Sequence, residues 1–240
     1  MNENKIPNVI ERPLPNGVIY DMSFAGQVRI TLPASSTWSS GLHWHETHDE
    51  YLKVVKGTIR VRLGDSLQVI SATSEHQPEI KVPRYTWHEW QRAAPDGEEA
   101  AVIERTEPSD NEKSIFFWNL NGVILSSPKM LDDKTSMVSR LPSRLQGLFL
   151  DFWIPLNLFV IFRSLDNIPV FLNAPDISRV SDQRVRGLLQ NIDRVVSHLV
   201  LLIASWAGWV LGIQPVQRRY TPDEAYAAWQ SRRDSAKKRA

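Results

Sequence analysis

An all-β sandwich or barrel followed by an apolar, helical C-terminal extension is the architecture this sequence predicts, and three observations predict it. Residues 17–107 hold many short apolar runs broken by turn residues. The runs recur at about 8–12 residues, the rhythm of strands in a sandwich or barrel. After Pro108 the pattern changes to long apolar segments separated by polar stretches.

The clearest hairpin occupies residues 58–70. Ile59, Val61 and Leu63 alternate with Arg60 and Arg62, Gly64-Asp65 supplies a tight turn, and Leu67, Val69 and Ser71 alternate back. Further strands are expected at 28–32, 52–55, 80–82 and 100–103. Residues 113–125 read as a helix and 126–143 as a linker. Two apolar segments, 145–165 and 196–213, enclose a polar, helical stretch at 181–194. Near the end Thr221 is placed to cap a helix, with Pro222 at its first position and Glu224 completing a capping box. That helix would pass Trp229 into the basic tail Lys237-Lys238-Arg239. The expected organisation is an N-terminal arm (1–16), a barrel (17–125), a linker (126–143) and a helical, apolar region (144–240).

Composition narrows the function classes. With 42% apolar and 23% charged residues in 240, the chain is of ordinary globular type, which argues against disorder. A formal charge of +1 gives no electrostatic case for nucleic acid, and no recognition motif accompanies the basic tail. The charge is unevenly spread: residues 1–125 sum to −5 and the remainder to +6. There is no cysteine, so disulfides and thiolate ligands are excluded and any metal must be held by nitrogen and oxygen. The opening Met1-Asn2-Glu3-Asn4-Lys5-Ile6-Pro7 lacks the apolar core of a secretory signal or anchor, and a cytoplasmic location is expected.

The chemistry concentrates in Gly41-Leu42-His43-Trp44-His45-Glu46-Thr47-His48-Asp49-Glu50. Residues two apart on a strand share a face, so His43 and His45 can aim at one ion. Glu50 begins the next apolar strand and can return a carboxylate beside them. Gly57 permits the turn into residues 58–63. Val82-Pro83-Arg84-Tyr85-Thr86-Trp87-His88 can add a third imidazole. Three imidazoles and a carboxylate make a borderline-hard site for one divalent ion, whether Fe, Mn, Ni, Cu or Zn.

His43-x-His45-x4-Glu50-x6-Gly57, followed about 30 residues later by Pro83-x4-His88, resembles the two motifs of the cupin superfamily. The resemblance covers residues 17–107. It implies a jelly-roll barrel, or double-stranded β-helix, with a metal at its centre and one end open to a small molecule. Three positions depart from the family pattern: Thr37 and Tyr85 stand where it has glycine, and Arg92 where it has asparagine. A barrel with an apolar extension is also similar, more loosely, to cupin-domain oxidoreductases of fungal secondary-metabolite pathways, and this implies a polyketide-type substrate.

Neighbouring residues are read as follows. His48, Glu46 and Asp49 are expected in a solvent-exposed loop. Glu89 points away from the metal, and Trp44 and Trp87 pack outside the barrel or at a subunit contact. Trp90, in phase with His88, lines the cavity, and Tyr85 packs or donates to substrate. Three functions fit this set: an oxidoreductase, in which Glu50 can loosen from the metal and act as a base; a non-redox isomerase, cyclase or dehydratase, in which a side chain moves a proton; and a ligand-binding module without catalysis. A homodimer is expected. Residues 145–165 and 196–213 either pack as a helical hairpin or associate with an intracellular membrane; Asp151 and Arg163 interrupt the first.

Overall fold

The computed structural model describes residues 6–94, 97–173 and 182–238. Its strands follow the alternation of the sequence. They are β1 (Val9–Arg12), β2 (Val18–Asp21), β3 (Gln27–Leu32), β4 (His43–Trp44), β5 (Asp49–Lys56), β6 (Thr58–Leu63), β7 (Ser66–Ser71), β8 (Glu79–Val82), β9 (His88–Arg92), β10 (Ala100–Glu107) and β11 (Ile168–Pro169). In β5 Glu50, Leu52 and Val54 are buried while their neighbours reach the surface, and the second half of β10 repeats this with Glu104 and Thr106. Each buried Val, Leu or Ile of these faces contributes about 1.5–3 kcal/mol by leaving water.

The strands form two antiparallel sheets. One has the order β1-β2-β3-β10-β5-β8 and the other β11-β4-β9-β6-β7. The β6–β7 hairpin pairs Leu63 with Ser66 across Gly64-Asp65, as the sequence predicts. Gly57 joins β5 to β6 with φ +70°, and a Cβ there would lie 2.3 Å from the Glu99 carbonyl oxygen. Only glycine satisfies both demands.

The helices are α1 (Glu112–Ser126), α2 (Lys129–Asp132), α3 (Ser143–Ser164), α4 (Gln183–Val210) and α5 (Asp223–Lys237). The chain divides into two compact units. The barrel unit comprises Pro7–Ser114 and the described part of Asp166–Val200; the helical unit comprises Ile115–Leu165 and the described part of Leu201–Ala240. In the helical unit Leu156 and Val160 of α3 form a core with Ala204 of α4 and Ile213. Gly208 faces Val160 so closely that a Cβ would sit 2.6 Å from its Cγ2.

An all-β region followed by helices is the predicted class. Four details differ from the sequence reading. Val9–Arg12, in the expected arm, pairs with β2. The expected linker contains α2 and a 3-10 turn at Val138–Arg140. The polar stretch and the apolar segment after it join in one helix, α4, because its polar residues occupy one side only. Thr221 does not cap α5: its hydroxyl donates to the Gln217 carbonyl and accepts from Asn119 Nδ2 at 2.9 Å. Residues 1–5 of the expected arm, Ser181 and Arg239 lie outside the described residues.

Candidate metal centre

The four expected ligands come from both sheets. His43, in β4, lies directly across from His88, in β9, in an antiparallel pair. His45 follows β4 by one residue. Glu50 enters from the facing sheet, on β5, opposite Thr106 of β10 and Val82 of β8. All four side chains are buried, and one ligand atom from each lies within 4.8 Å of the others.

Backbone carbonyls fix the rings. His43 Nδ1 donates to the Gly41 carbonyl at 2.7 Å, His88 Nδ1 to that of Thr86 at 2.9 Å, and His45 Nδ1 to that of Asp166. A carbonyl only accepts, so each Nδ1 carries the proton and each Nε2 keeps its lone pair. The Nε2 atoms of His45 and His88 are buried without a hydrogen-bond partner, 3.6 and 2.9 Å from the two Glu50 oxygens. Burial, and then the neighbouring imidazoles, hold His43 neutral well below the usual histidine range. Burial also lowers His45. Neutral, preoriented imidazoles whose inward nitrogens lack partners are what a divalent metal requires, so the residues fit the ion that the sequence implies.

Two residues absent from the sequence reading complete the centre. Lys113, near the start of α1, contacts Glu50 Oε1 and lies 3.4 Å from Glu104 Oε2. Glu104 Oε1 accepts from Trp90 Nε1 at 2.7 Å. Burial alone would raise Glu50, but the Lys113 ammonium beside it outweighs burial and holds the carboxyl well below the usual range. Glu104 is raised, by burial first and by Glu50 second. Alternation gave a signal for Glu104, in phase with Val102. Lys113 carried none, because the loop after β10 sets its position.

Two antiparallel sheets bring His43, His45 and His88 together from one and Glu50 from the other, in the order that the resemblance to the cupin motifs implies. No protein-family model matches the chain, and no curated protein matches it. Among solved structures, the chain is similar to the capsular polysaccharide assembling protein CapF from Staphylococcus aureus, with 15% identity over 43% of this chain and a TM-score of 0.33. The match spans 30% of CapF, less than a third of its length. A cupin 2 conserved barrel domain protein from Rhodopseudomonas palustris is 16% identical over 41% of this chain and 69% of its own, at a TM-score of 0.32. A cupin-like protein from Thermotoga maritima gives 14%, 41%, 76% and 0.33.

Several neighbours differ from expectation. His48 is buried, between Asp166 Oδ2 at 2.9 Å and Asp110 Oδ2 at 3.3 Å, and is not in the exposed loop predicted for it. The Asp166 carboxylate arrives from beyond α3 and accepts the backbone N–H groups of Glu46, Thr47 and His48, which closes the loop on itself. Glu46 is half-buried and accepts from Trp44 Nε1 and His198. Trp44 and Trp87 stack together, with His198 edge-on to Trp44, so α4 of the same chain covers them. Trp90 is fully buried, and Tyr85 is exposed rather than packed. Tyr85 has φ +64°, which accounts for glycine at that place in the family pattern. Arg92 spends its guanidinium on the carbonyls of Pro33, Ala94, Gly97 and Glu98, a structural task.

Proposed function

We propose that this chain is a metal-dependent cupin oxidoreductase acting on a small organic molecule, with His43, His45, Glu50 and His88 as the residues that hold one divalent ion. The observation that carries the reading is the convergence of three Nδ1-anchored imidazoles and one buried carboxylate within 4.8 Å. The bound ion supplies Lewis acidity toward a substrate oxygen and, for a redox metal, electron transfer. The protein's own part is to keep the imidazoles neutral and oriented, exclude water, and hold Glu50 as a charged carboxylate able to take a proton. A polyketide-type phenol, enol or aldehyde suits such a centre.

Elemental analysis of the purified chain, with extraction of any co-purifying small molecule, tests the reading. One divalent metal per chain is expected, and oxygen uptake with the extracted compound marks the oxidoreductase. Turnover without oxygen uptake selects the non-redox isomerase, cyclase or dehydratase. Metal with no turnover of any extracted compound selects a binding protein.

We infer further that α4 rests against a lipid surface. The helix buries Asp193, Ser197, Leu201 and Ala204, while Val195, Leu199, Leu202, Trp206 and Trp209 are exposed at spacings of four and three. From Val195 to Gln217 the sequence has no Asp, Glu, Lys or Arg, and Arg194 and Arg218 bracket this stretch. An apolar face with indoles at one end, bounded by cations, complements a hydrocarbon layer with anionic headgroups. In the most apolar windows of α3 and α4 only 22% is buried. The homodimer finds support in β7, an edge strand that exposes Leu67 and Val69.

A further inference from the structure

The barrel interior holds an ion pair that ligation of a metal does not require. Lys113 is buried between two carboxylates, Glu50 on the metal side and Glu104 on the other. The exposed fractions are 8% for the lysine and 1% and 5% for the carboxylates. A buried ammonium is costly, and apolar side chains of similar volume commonly stabilise such a place better. Its position matters more than its burial. Glu50 has two oxygens: Oε2 faces His88 Nε2 at 2.9 Å, and Lys113 holds Oε1. Glu104 is fixed in turn by Trp90, so the lysine is drawn from both sides.

We propose that Lys113 is a positioning residue that competes with the metal for Glu50, and that Glu104 sets how strongly it competes. The inference rests on the metal-binding reading above. Three neutral imidazoles add no charge, so the balance of Glu50, Lys113 and Glu104 sets the charge that the ion meets from these described side chains. The ammonium cancels one of the two carboxylates and repels the incoming cation. It also ties one oxygen of Glu50, which leaves this carboxylate a weaker ligand. Removing the ammonium frees Glu50 and lowers the local charge by one. Neutralising Glu104 raises the local charge by one and removes one of the carboxylates that draw on Lys113. The two changes therefore move metal affinity in opposite directions.

The experiment is a competition titration of Zn2+ between the metal-stripped full chain and a chromophoric chelator. It compares the unmodified protein, Lys113→Met, Lys113→Arg and Glu104→Gln. Lys113→Met is expected to bind Zn2+ at least about tenfold tighter and Glu104→Gln at least about threefold weaker, since a unit charge at such range shifts binding by these factors or more. Lys113→Arg keeps the charge and stays near the unmodified value. Near-ultraviolet circular dichroism checks folding; if Lys113→Met does not fold, the Glu104→Gln and Lys113→Arg values decide alone. A lysine that serves structure only would weaken binding in Lys113→Met, or leave both variants unchanged, and either result overturns the proposal. If the unmodified chain binds no Zn2+, the metal-binding reading falls with it; if it binds and the variants do not diverge, only this proposal falls.

Discussion

Each Nδ1 of His43, His45 and His88 is occupied by a backbone carbonyl, so the sequence contributes only the imidazoles and the fold contributes their tautomer. His48 shows the opposite use of the same side chain. The hydrogen bonds that His48 donates to Asp110, and next to Asp166, push it up to about 9, while Asp166 is held down at about 2, where the His48 and backbone hydrogen bonds outweigh burial. A raised histidine stabilises the fold fully below its unfolded value near 6.5, and that contribution is lost as pH rises through 9. A lowered carboxylate stabilises above its unfolded value of 3.8 and loses this as pH falls toward 2. The pair therefore contributes most from about pH 4 to 6.5. Thermal melting of His48→Gln should show its largest deficit against the unmodified chain in that window, shrinking as pH rises from 6.5 to about 9; a deficit independent of pH would contradict the assignment. The candidate ligands were legible because strand alternation and motif spacing are local. Asp166 was not, since its contact with His48 spans 118 positions and has no periodic signature.

At the scale of elements, turns are where sequence and structure agree most closely. Gly57 combines φ +70° with a backbone approach that no side chain tolerates. Gly57→Ala should cost at least about 2 kcal/mol in chemical denaturation, from positive-φ strain and displacement of the Glu99 carbonyl; a loss below half of that would show that the β5–β6 turn relaxes. The hairpin β6–β7 was legible for the same local reasons. β11 was not, because two residues ending in Pro169 at a sheet edge carry no alternation. The helix α4 was read as two pieces, since hydropathy changes along it while its hydrogen bonding does not. Its exposed apolar face leads to a flotation assay with phosphatidylcholine–phosphatidylserine vesicles. The unmodified chain should float with the vesicles, and Leu202→Asp combined with Trp206→Ser should reduce the bound fraction at least about tenfold, as expected when a charge replaces buried apolar surface. Equal flotation of both, or a chain that self-associates and ignores lipid, would contradict the lipid reading.

For the whole molecule, the uneven charge of the sequence follows the change from strands to helices: the first 125 residues are acidic and the rest basic. Strand rhythm made the all-β class legible, and apolar length marked the helices. The assignment of segments to units was not legible, because the barrel unit takes in the described part of Asp166–Val200 from far along the chain. That return supplies Asp166 to the loop after β4 and His198 to Trp44, so the candidate site depends on residues that sequence order places in the other half. The central claim is that one divalent ion is held by the converging imidazoles. Equilibrium dialysis of the metal-stripped chain against Zn2+ tests it most directly. One ion bound per chain, lost when His43→Ala and His88→Ala are combined in a variant that still folds, is the predicted result; no binding by the unmodified chain, or unchanged binding by the double variant, would contradict it.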